Sequence, residues 1–240
     1  MSEFKVNTIT NRDGSHGPQI CGITTFGSSG MQLPSGPTEF RGGRGRAIVF
    51  VGATPSATTL IDAFNTATSG NAFDFGDHRF GSSISAGMGH AADGVRGLLA
   101  GGYVAPVNLG TIDFINIATT GSSSLFGEFD DGSTGGYFPM ASPTRAVFGR
   151  ARQGLNYINF TTGGKTISFG SMTGDPRTGH IASCSNSTRG IMAGGESPSP
   201  SKVNTITYIT LATLGDGVDF GDLSANSCFQ DGTSSGHGGL

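Results

Sequence analysis

Several residue types are scarce in this 240-residue chain, and each scarcity excludes a class of protein. Charged residues make up 13% and the net charge is -3, with no basic run, which argues against nucleic-acid binding. The three cysteines, at 21, 184 and 228, are scattered and odd in number, so they predict neither a disulfide framework nor a paired metal site. No apolar run approaches the ~18 residues of a membrane helix, and the first residues lack the apolar core of a signal peptide. We therefore expect a protein that is made in the cytoplasm and does not insert into membranes.

Tryptophan is also absent, so the 17 phenylalanines must supply much of any core. Glycine occurs 42 times in the 240 residues, so its share is well above the average of about 7%. The glycines lack the period of three that defines collagen. Abundant Gly, Ser and Thr beside few Lys and Glu disfavour long helices and favour short strands joined by tight turns. The composition therefore predicts an all-β protein.

Residues 1–43 contain few large apolar side chains and are predicted to form an extended N-terminal arm. The segment KVNTIT reads as a short strand and NRDG as a turn, and Pro34 and Pro37 lie in a Gly-rich linker. A segment of this composition is not expected to build a core of its own. We interpret it as an arm that packs on a neighbouring chain or docks into a larger assembly.

Residues 44–240 contain a unit that occurs four times, and two landmarks define it. An Arg followed by a small residue recurs at intervals of 50, 49 and 44 residues, and Phe-Gly recurs at intervals of 51, 43 and 51. The landmark residues are Arg46, Arg96, Arg145 and Arg189, and Phe75-Gly76, Phe126-Gly127, Phe169-Gly170 and Phe220-Gly221. Short strands repeating at about 48 residues are typical of propeller blades. We predict a propeller-like domain of four blades, at about 44–93, 94–143, 144–187 and 188–240.

Each copy can be read as four strands. The first begins at the Arg, the second alternates apolar and polar residues, the third centres on Phe-Gly, and the fourth is the variable segment before the next Arg. Three copies carry Pro-containing loops between the first two strands, Thr54–Thr59, Tyr103–Gly110 and Glu196–Asn204, whereas the third has only RARQG. Variable loops on a repeated scaffold are where binding is usually located. The candidate recognition residues are Pro55, Tyr103, Pro106, Pro198, Pro200 and Lys202.

The last residues, CFQDGTSSGHGGL, parallel HAADGVRGLLAGG of the second copy, so the chain stops where a fifth copy would begin. Four blades can close one small propeller. The alternatives are an open array that is closed by oligomerisation, or blades shared between chains, and the sequence does not choose among them.

No group of residues predicts catalysis, a cofactor or a metal site. The acidic turns around Phe-Gly (Asp74, Asp77, Asp219 and Asp222) lack the spacing of a calcium loop and favour turn bonding. The five histidines show no metal-binding spacing, and Cys184 has no local partner that would make it a nucleophile. The repeated Arg is expected to bond carbonyl groups of the preceding blade through its fixed fork of donors.

The repeat RGIMAGG…NTITYITLATLGDGVDFGDL resembles the kelch-type repeats of structural proteins from phages that infect marine cyanobacteria. The arm KVNTITNRDGSHGPQICGITTFG…MQLPSGPTEFRGGRGR resembles an N-terminal stretch that several such virion proteins share. The resemblance implies a non-enzymatic virion component, such as a fibre, a tail or neck protein, or a capsid-associated protein. Its arm would bind other virion proteins and its repeat domain would assemble or attach to a surface. A homo-oligomer is expected, and the alternative function is a module that binds host-surface glycans or receptors through the blade loops.

Overall fold

The computed structural model describes residues 45–50, 59–66, 69–79, 88–104, 106–130, 137–150, 154–172, 180–197 and 202–234. The predicted arm lies outside these residues, as do Pro55, Pro198 and Pro200. The described chain consists of strands and turns arranged as four antiparallel sheets, and this confirms the all-β prediction. We number the sheets as blades 1 to 4 in chain order. The described residues include no helix long and apolar enough to cross a membrane.

The strands follow one another in chain order within each blade. Blade 1 has β1 (Arg46–Phe50), β2 (Leu60–Asn65) and β3 (Phe73–Asp77). Blade 2 has β4 (Met88–Ala92), β5 (Arg96–Gly101), β8 (Thr111–Asn116) and β9 (Ser124–Glu128), with the small hairpin β6 (Tyr103–Val104) and β7 (Val107–Asn108) between β5 and β8. Blade 3 has β10 (Tyr137–Ala141), β11 (Arg145–Arg150), β12 (Gly154–Asn159) and β14 (Ile167–Gly170), while β13 (Gly164–Lys165) pairs with β9 of blade 2. Blade 4 has β15 (Ala182–Ser185), β16 (Arg189–Ala193), β17 (Val203–Thr210) and β18 (Val218–Ser227).

The sheets begin one strand earlier than the sequence phasing assumed. The segments before Arg96, Arg145 and Arg189 are strands, as predicted, but these strands (β4, β10 and β15) pair with the Arg strand that follows them. A tight polar turn forces this pairing. The Asp93 carboxylate accepts hydrogen bonds from the backbone N–H groups of Val95 (2.8 Å) and Arg96 (2.6 Å), and Asn186 accepts equivalent bonds from Thr188 and Arg189. The predicted fourth strand is therefore the innermost strand of the next blade.

The Phe of each Phe-Gly is the extra residue of a β-bulge. Opposite the bulge, Ile61 pairs with Gly76 but the next residue, Asp62, pairs with Asp74, so Phe75 has no partner in the ladder. The register shifts at the same point in the other three blades. A bulge turns the side chain of the extra residue relative to the normal alternation. The bulge at Phe-Gly therefore directs the Phe ring toward the next blade.

The hydrophobic core consists of three clusters, one between each pair of successive blades. The first joins Ile61 and Phe75 of blade 1 to Ile115 of blade 2. The second joins Leu98 and Ile112 of blade 2 to Phe148, Ile158 and Phe160 of blade 3. The third joins Leu155, Tyr157 and Phe169 of blade 3 to Met192, Ile209 and Leu211 of blade 4. Stability therefore comes from contacts between neighbouring blades, as in other repeat proteins.

Candidate functional site: the blade interfaces

Each blade presents one face to the preceding blade and the opposite face to the next. We call these the rear face and the forward face. On the second strand of the repeat, the rear-face residues are Phe64, Ile115, Ile158 and Ile209, and the forward-face residues are Ala63, Phe114, Tyr157 and Tyr208. The landmarks of blades 1 to 3 lie where a forward face meets the rear face of the next blade, so these interfaces are the site that the sequence pattern marks.

The landmark arginines connect each blade to the next one. Nη1 of Arg46 donates to the carbonyl of Ile117 (2.7 Å), and Nη1 of Arg145 donates to the carbonyl of Leu211 (2.9 Å). Arg96 donates in the same way to the carbonyl of Phe160. Bonding to carbonyl groups was predicted, but the assignment to the preceding blade was wrong. The acceptor is always the residue just after the second strand of the following blade, because the guanidinium extends from the forward face.

The Phe-Gly glycines of blades 1 to 3 are required because a turn of the next blade lies directly against them. A Cβ atom placed on Gly76 would be 2.6 Å from the carbonyl oxygen of Gly121, which is closer than real Cβ atoms approach. Cβ atoms on Gly127 and Gly170 would clash in the same way with the carbonyl groups of Gly164 and Gly215. The glycine therefore provides space for close approach of two backbones.

Backbone hydrogen bonds form at the same places. The N–H of Gly121 donates to the carbonyl of Phe75 (2.8 Å), and the N–H of Gly215 donates to the carbonyl of Phe169 (3.0 Å). Between blades 2 and 3 the contact is regular enough to form the parallel pair of β13 with β9. The outermost strand of one blade is thus bonded to the small-residue turn of the next.

A buried ion pair between blades 1 and 2 was missed by the sequence reasoning. The Asp113 side chain is fully buried and accepts hydrogen bonds from Nε and Nη2 of Arg79, at 3.2 Å and 2.9 Å to Oδ1. The hydroxyl of Ser123 donates to its other oxygen at 3.1 Å. An acidic residue within the apolar alternation TIDFIN was the available signal, since a buried carboxylate needs a partner. The pair fixes the register of the two blades.

At both ends of the series the described residues leave one face largely exposed. On the rear face of blade 1, Val49 is 45% and Phe64 is 36% exposed. Their counterparts in blades 2 to 4 are at most 2% exposed. The counterparts of Val49 are Leu99, Phe148 and Met192, and those of Phe64 are Ile115, Ile158 and Ile209. On the forward face of blade 4, Phe220 is 54% exposed, whereas Phe75 and Phe169 are 2% and 3% exposed.

The remaining contacts of the interface are also absent at these two ends. Arg189 is exposed and lies over the ring of Tyr208, at 4.8 Å from its centroid, and no carbonyl acceptor is found for it among the described residues. A Cβ on Gly221 would meet nothing within 4 Å, whereas Cβ atoms on Gly76, Gly127 and Gly170 would clash with the next blade. Each end therefore carries one half of a blade interface.

The candidate recognition loops are described only in part. Pro106 is exposed at the turn of the β6–β7 hairpin, which includes Tyr103, and Lys202 is exposed just before β17.

The titratable candidates have structural partners. Asp219 accepts a hydrogen bond from the N–H of Gly221 (3.1 Å), which is the predicted turn bonding, whereas Asp77 accepts one from the hydroxyl of Thr59 (2.6 Å), 18 residues away. His90 stacks on Phe50 with the ring centroids 5.1 Å apart. Burial raises the pKa of the Cys184 thiol, which makes it less nucleophilic. Within the described ranges no three His, Cys, Asp or Glu residues form a group that could hold a metal ion.

Comparison with known proteins gives a likeness in structure alone. No family model matches the sequence, and no curated protein matches it. The solved structure of YjhT, a kelch-repeat β-propeller protein, is similar with a TM-score of 0.57 at 9% sequence identity. The alignment covers 71% of this chain and spans 62% of the length of YjhT. The chain therefore has the kelch-like β-propeller fold that the repeat predicted.

Proposed function

We propose that this protein is a non-enzymatic structural component of a bacteriophage particle. Residues 1–43 anchor it to other virion proteins, and the blade domain serves assembly or attachment to a surface. The observation that carries the proposal is that the residues common to the repeats, Arg and Phe-Gly, make contacts between blades instead of converging on a site. The resemblance of the arm and the repeat to virion proteins supports the phage assignment.

The environments of the reactive side chains support a non-enzymatic role. The buried carboxylate of Asp113 is neutralised by Arg79 and bonded to Ser123, so it has no free lone pair directed at a ligand. The Cys184 thiol has a raised pKa, whereas a nucleophilic cysteine needs a lowered one. Chemistry at these positions would compete with the contacts that hold the blades together.

Deletion of residues 1–43 tests the anchoring role. The full-length chain and the 44–240 chain, each with the same C-terminal tag, are supplied during infection by the phage that encodes the protein. Purified particles are then probed for the tag. We expect the full-length chain in the particles and the truncated chain only in the soluble fraction, with circular dichroism confirming that the truncated chain is folded. Equal incorporation of a folded 44–240 chain would refute the anchoring role.

A second function, glycan binding at a host surface, is favoured by the β6–β7 hairpin. This hairpin lies between β5 and β8 in the sequence and forms a small sheet apart from that of blade 2. Its Val107 side chain is 57% exposed, and the neighbouring Pro106 is also exposed. Projecting loops on a rigid scaffold commonly carry recognition. A glycan array tests it: binding that is lost on replacing residues 103–108 by a Gly-Ser turn supports this function, and absence of binding at high protein concentration contradicts it.

A further inference from the structure

The two exposed end faces are the complementary halves of one interface. We propose that two copies of this chain pack head to tail, with the forward face of blade 4 of each copy against the rear face of blade 1 of the other. The two identical contacts would close a ring of eight blades, which is within the four to eight blades typical of propellers. This inference goes beyond the proposed role in a virion and does not depend on it.

The contacts expected between the copies are those already present three times within the chain. Arg189 lies over the ring of Tyr208 as Arg145 lies over the ring of Tyr157 (4.3 Å), and from that position Arg145 reaches the carbonyl of Leu211. Thr66 is the counterpart of Leu211, because each follows the residue that pairs with the landmark Arg of its own blade. We therefore expect Arg189 to donate to the carbonyl of Thr66 of the partner copy.

The glycine contact can form in the same way. Gly221 and Gly70 are the counterparts of Gly170 and Gly215, which touch at the interface between blades 3 and 4. Nothing lies within 4 Å of the Cβ position of Gly221 in the single chain, whereas Gly170 at the same position of blade 3 lies against Gly215. The space beside Gly221 is therefore open to the Gly70 turn of a second copy.

The apolar side chains also match. Exposed Phe220 on the forward face of blade 4 corresponds to Phe169, which is buried against blade 4. Exposed Val49 and Phe64 on blade 1 correspond to Met192 and Ile209 in that same cluster. An exposed apolar patch on a soluble protein marks an interaction site, and here the repeat specifies the surface that fits it.

The exposure of both ends favours a second copy over closure within one chain. Both end faces are exposed in the same molecule, which shows that blade 4 does not cover blade 1. A contact between unlike surfaces of identical chains forms a closed ring when the rotation between copies permits it.

The test measures the mass of the purified full-length chain by light scattering coupled to size exclusion. The wild type should have the mass of two chains of 24.4 kDa. Phe64→Asp and Phe220→Asp each place a carboxylate in both contacts of the ring. Because an unpaired buried charge is strongly unfavourable, each variant alone should be a monomer, with its dissociation constant raised at least about 100-fold. Leu125→Asp, at a side chain that is 57% exposed on β9 and outside both end faces, is the control and should remain dimeric.

Mixing the two monomeric variants distinguishes a head-to-tail contact from a symmetric one. In the mixture, the intact blade 4 of the Phe64→Asp chain can pack on the intact blade 1 of the Phe220→Asp chain, so an open two-chain species should appear at high concentration. Failure of the mixture to associate would overturn the head-to-tail arrangement. A monomeric wild type, or an oligomer that persists in both variants, would overturn the proposal, the first by indicating closure within the chain and the second by indicating contact through another surface.

Discussion

Substitution of the Phe-Gly glycines offers a direct measurement of one blade interface. Gly170 and Gly221 occupy the same position in blades 3 and 4, and both have positive φ angles, 157° and 135°. Only Gly170 has a neighbouring blade: a Cβ there would be 2.6 Å from the carbonyl carbon of Gly215, whereas a Cβ on Gly221 meets nothing within 4 Å. Gly170→Ala and Gly221→Ala therefore share the backbone strain and differ in the clash.

The magnitude follows from the contacts that the clash must break. Strain at such a φ costs about 1–3 kcal/mol for either substitution. The methyl group of Gly170→Ala also pushes blade 4 away and breaks the bonds from Gly215 to Phe169 (3.0 Å) and from Gly217 to Ser171 (2.9 Å). At about 0.5–1.5 kcal/mol for each bond, Gly170→Ala should lose about 1–3 kcal/mol more than Gly221→Ala.

Urea unfolding of both variants measures this difference. They are made in the Phe64→Asp background, so that a partner copy cannot contribute a neighbour to Gly221. An additional loss of about 2 kcal/mol corresponds to a midpoint lower by about 1 M when the denaturant slope is about 2 kcal/mol/M. Equal midpoints for the two variants would refute the conclusion that close approach of the next blade, rather than backbone conformation, explains the repeated glycine.

Four further substitutions test individual interface groups. Asp113→Asn should lower the free energy of unfolding by about 2 kcal/mol in urea titrations, because the partly exposed guanidinium bonded to it loses its charged partner. Arg145→Ala should lower it by about 2 kcal/mol through loss of a charge-assisted hydrogen bond, whereas Arg189→Ala in a monomeric background should change it by less than about 0.5 kcal/mol; similar losses would contradict the assignment. The N–H and hydroxyl of Ser171 donate to the Asp216 carboxylate and lower its pKa. Its stabilising contribution is therefore present above the unfolded pKa and is lost as the pH falls through the folded pKa, and Ser171→Ala should raise this pKa toward its ordinary value in an NMR titration.

Much of the fold could be predicted because the chain repeats itself. A strand beginning at each Arg, an alternating strand after it and a strand centred on Phe-Gly are all present. Comparison of four copies separates what the scaffold requires from what varies. From a single copy, the carboxylates of Asp219 and Asp222 beside Phe220 and Gly221 would have indicated an ion site.

The phase of the sheets and the direction of the Arg contact could not be predicted in this way. A repeated sequence has the same period wherever a unit is taken to begin. The Arg landmark therefore did not show that β4 and β10 pair with the Arg strands that come after them in the chain. The polar residues three positions before Arg96 and Arg189 were the informative signal, because they cap the hairpin turn. Whether a guanidinium extends forward or backward depends on which face of the sheet it leaves, and alternation alone does not fix that face.

The role of Asp113 was hidden for a related reason. Its partner Arg79 lies in the segment after β3. An aspartate recurs at the matching position of blade 1, Asp62, but Asn156 and Thr207 occupy this position in blades 3 and 4, so the Asp–Arg pair is found once among the described residues. Comparison of copies finds what they share and misses a contact that exists once.

The bulge at Phe-Gly also bears on aggregation. An outer strand offers its free N–H and C=O groups to any extended segment that it meets, and a chain of four blades has four such strands while it is being synthesised. In each of them the bulged Phe interrupts the row of groups near its middle. In β18, Asp219 and Asp222 add charge on either side of the interruption. The Phe and Gly that position one blade on the next thus also prevent the outer strand from serving as a continuous template for a strand of another protein.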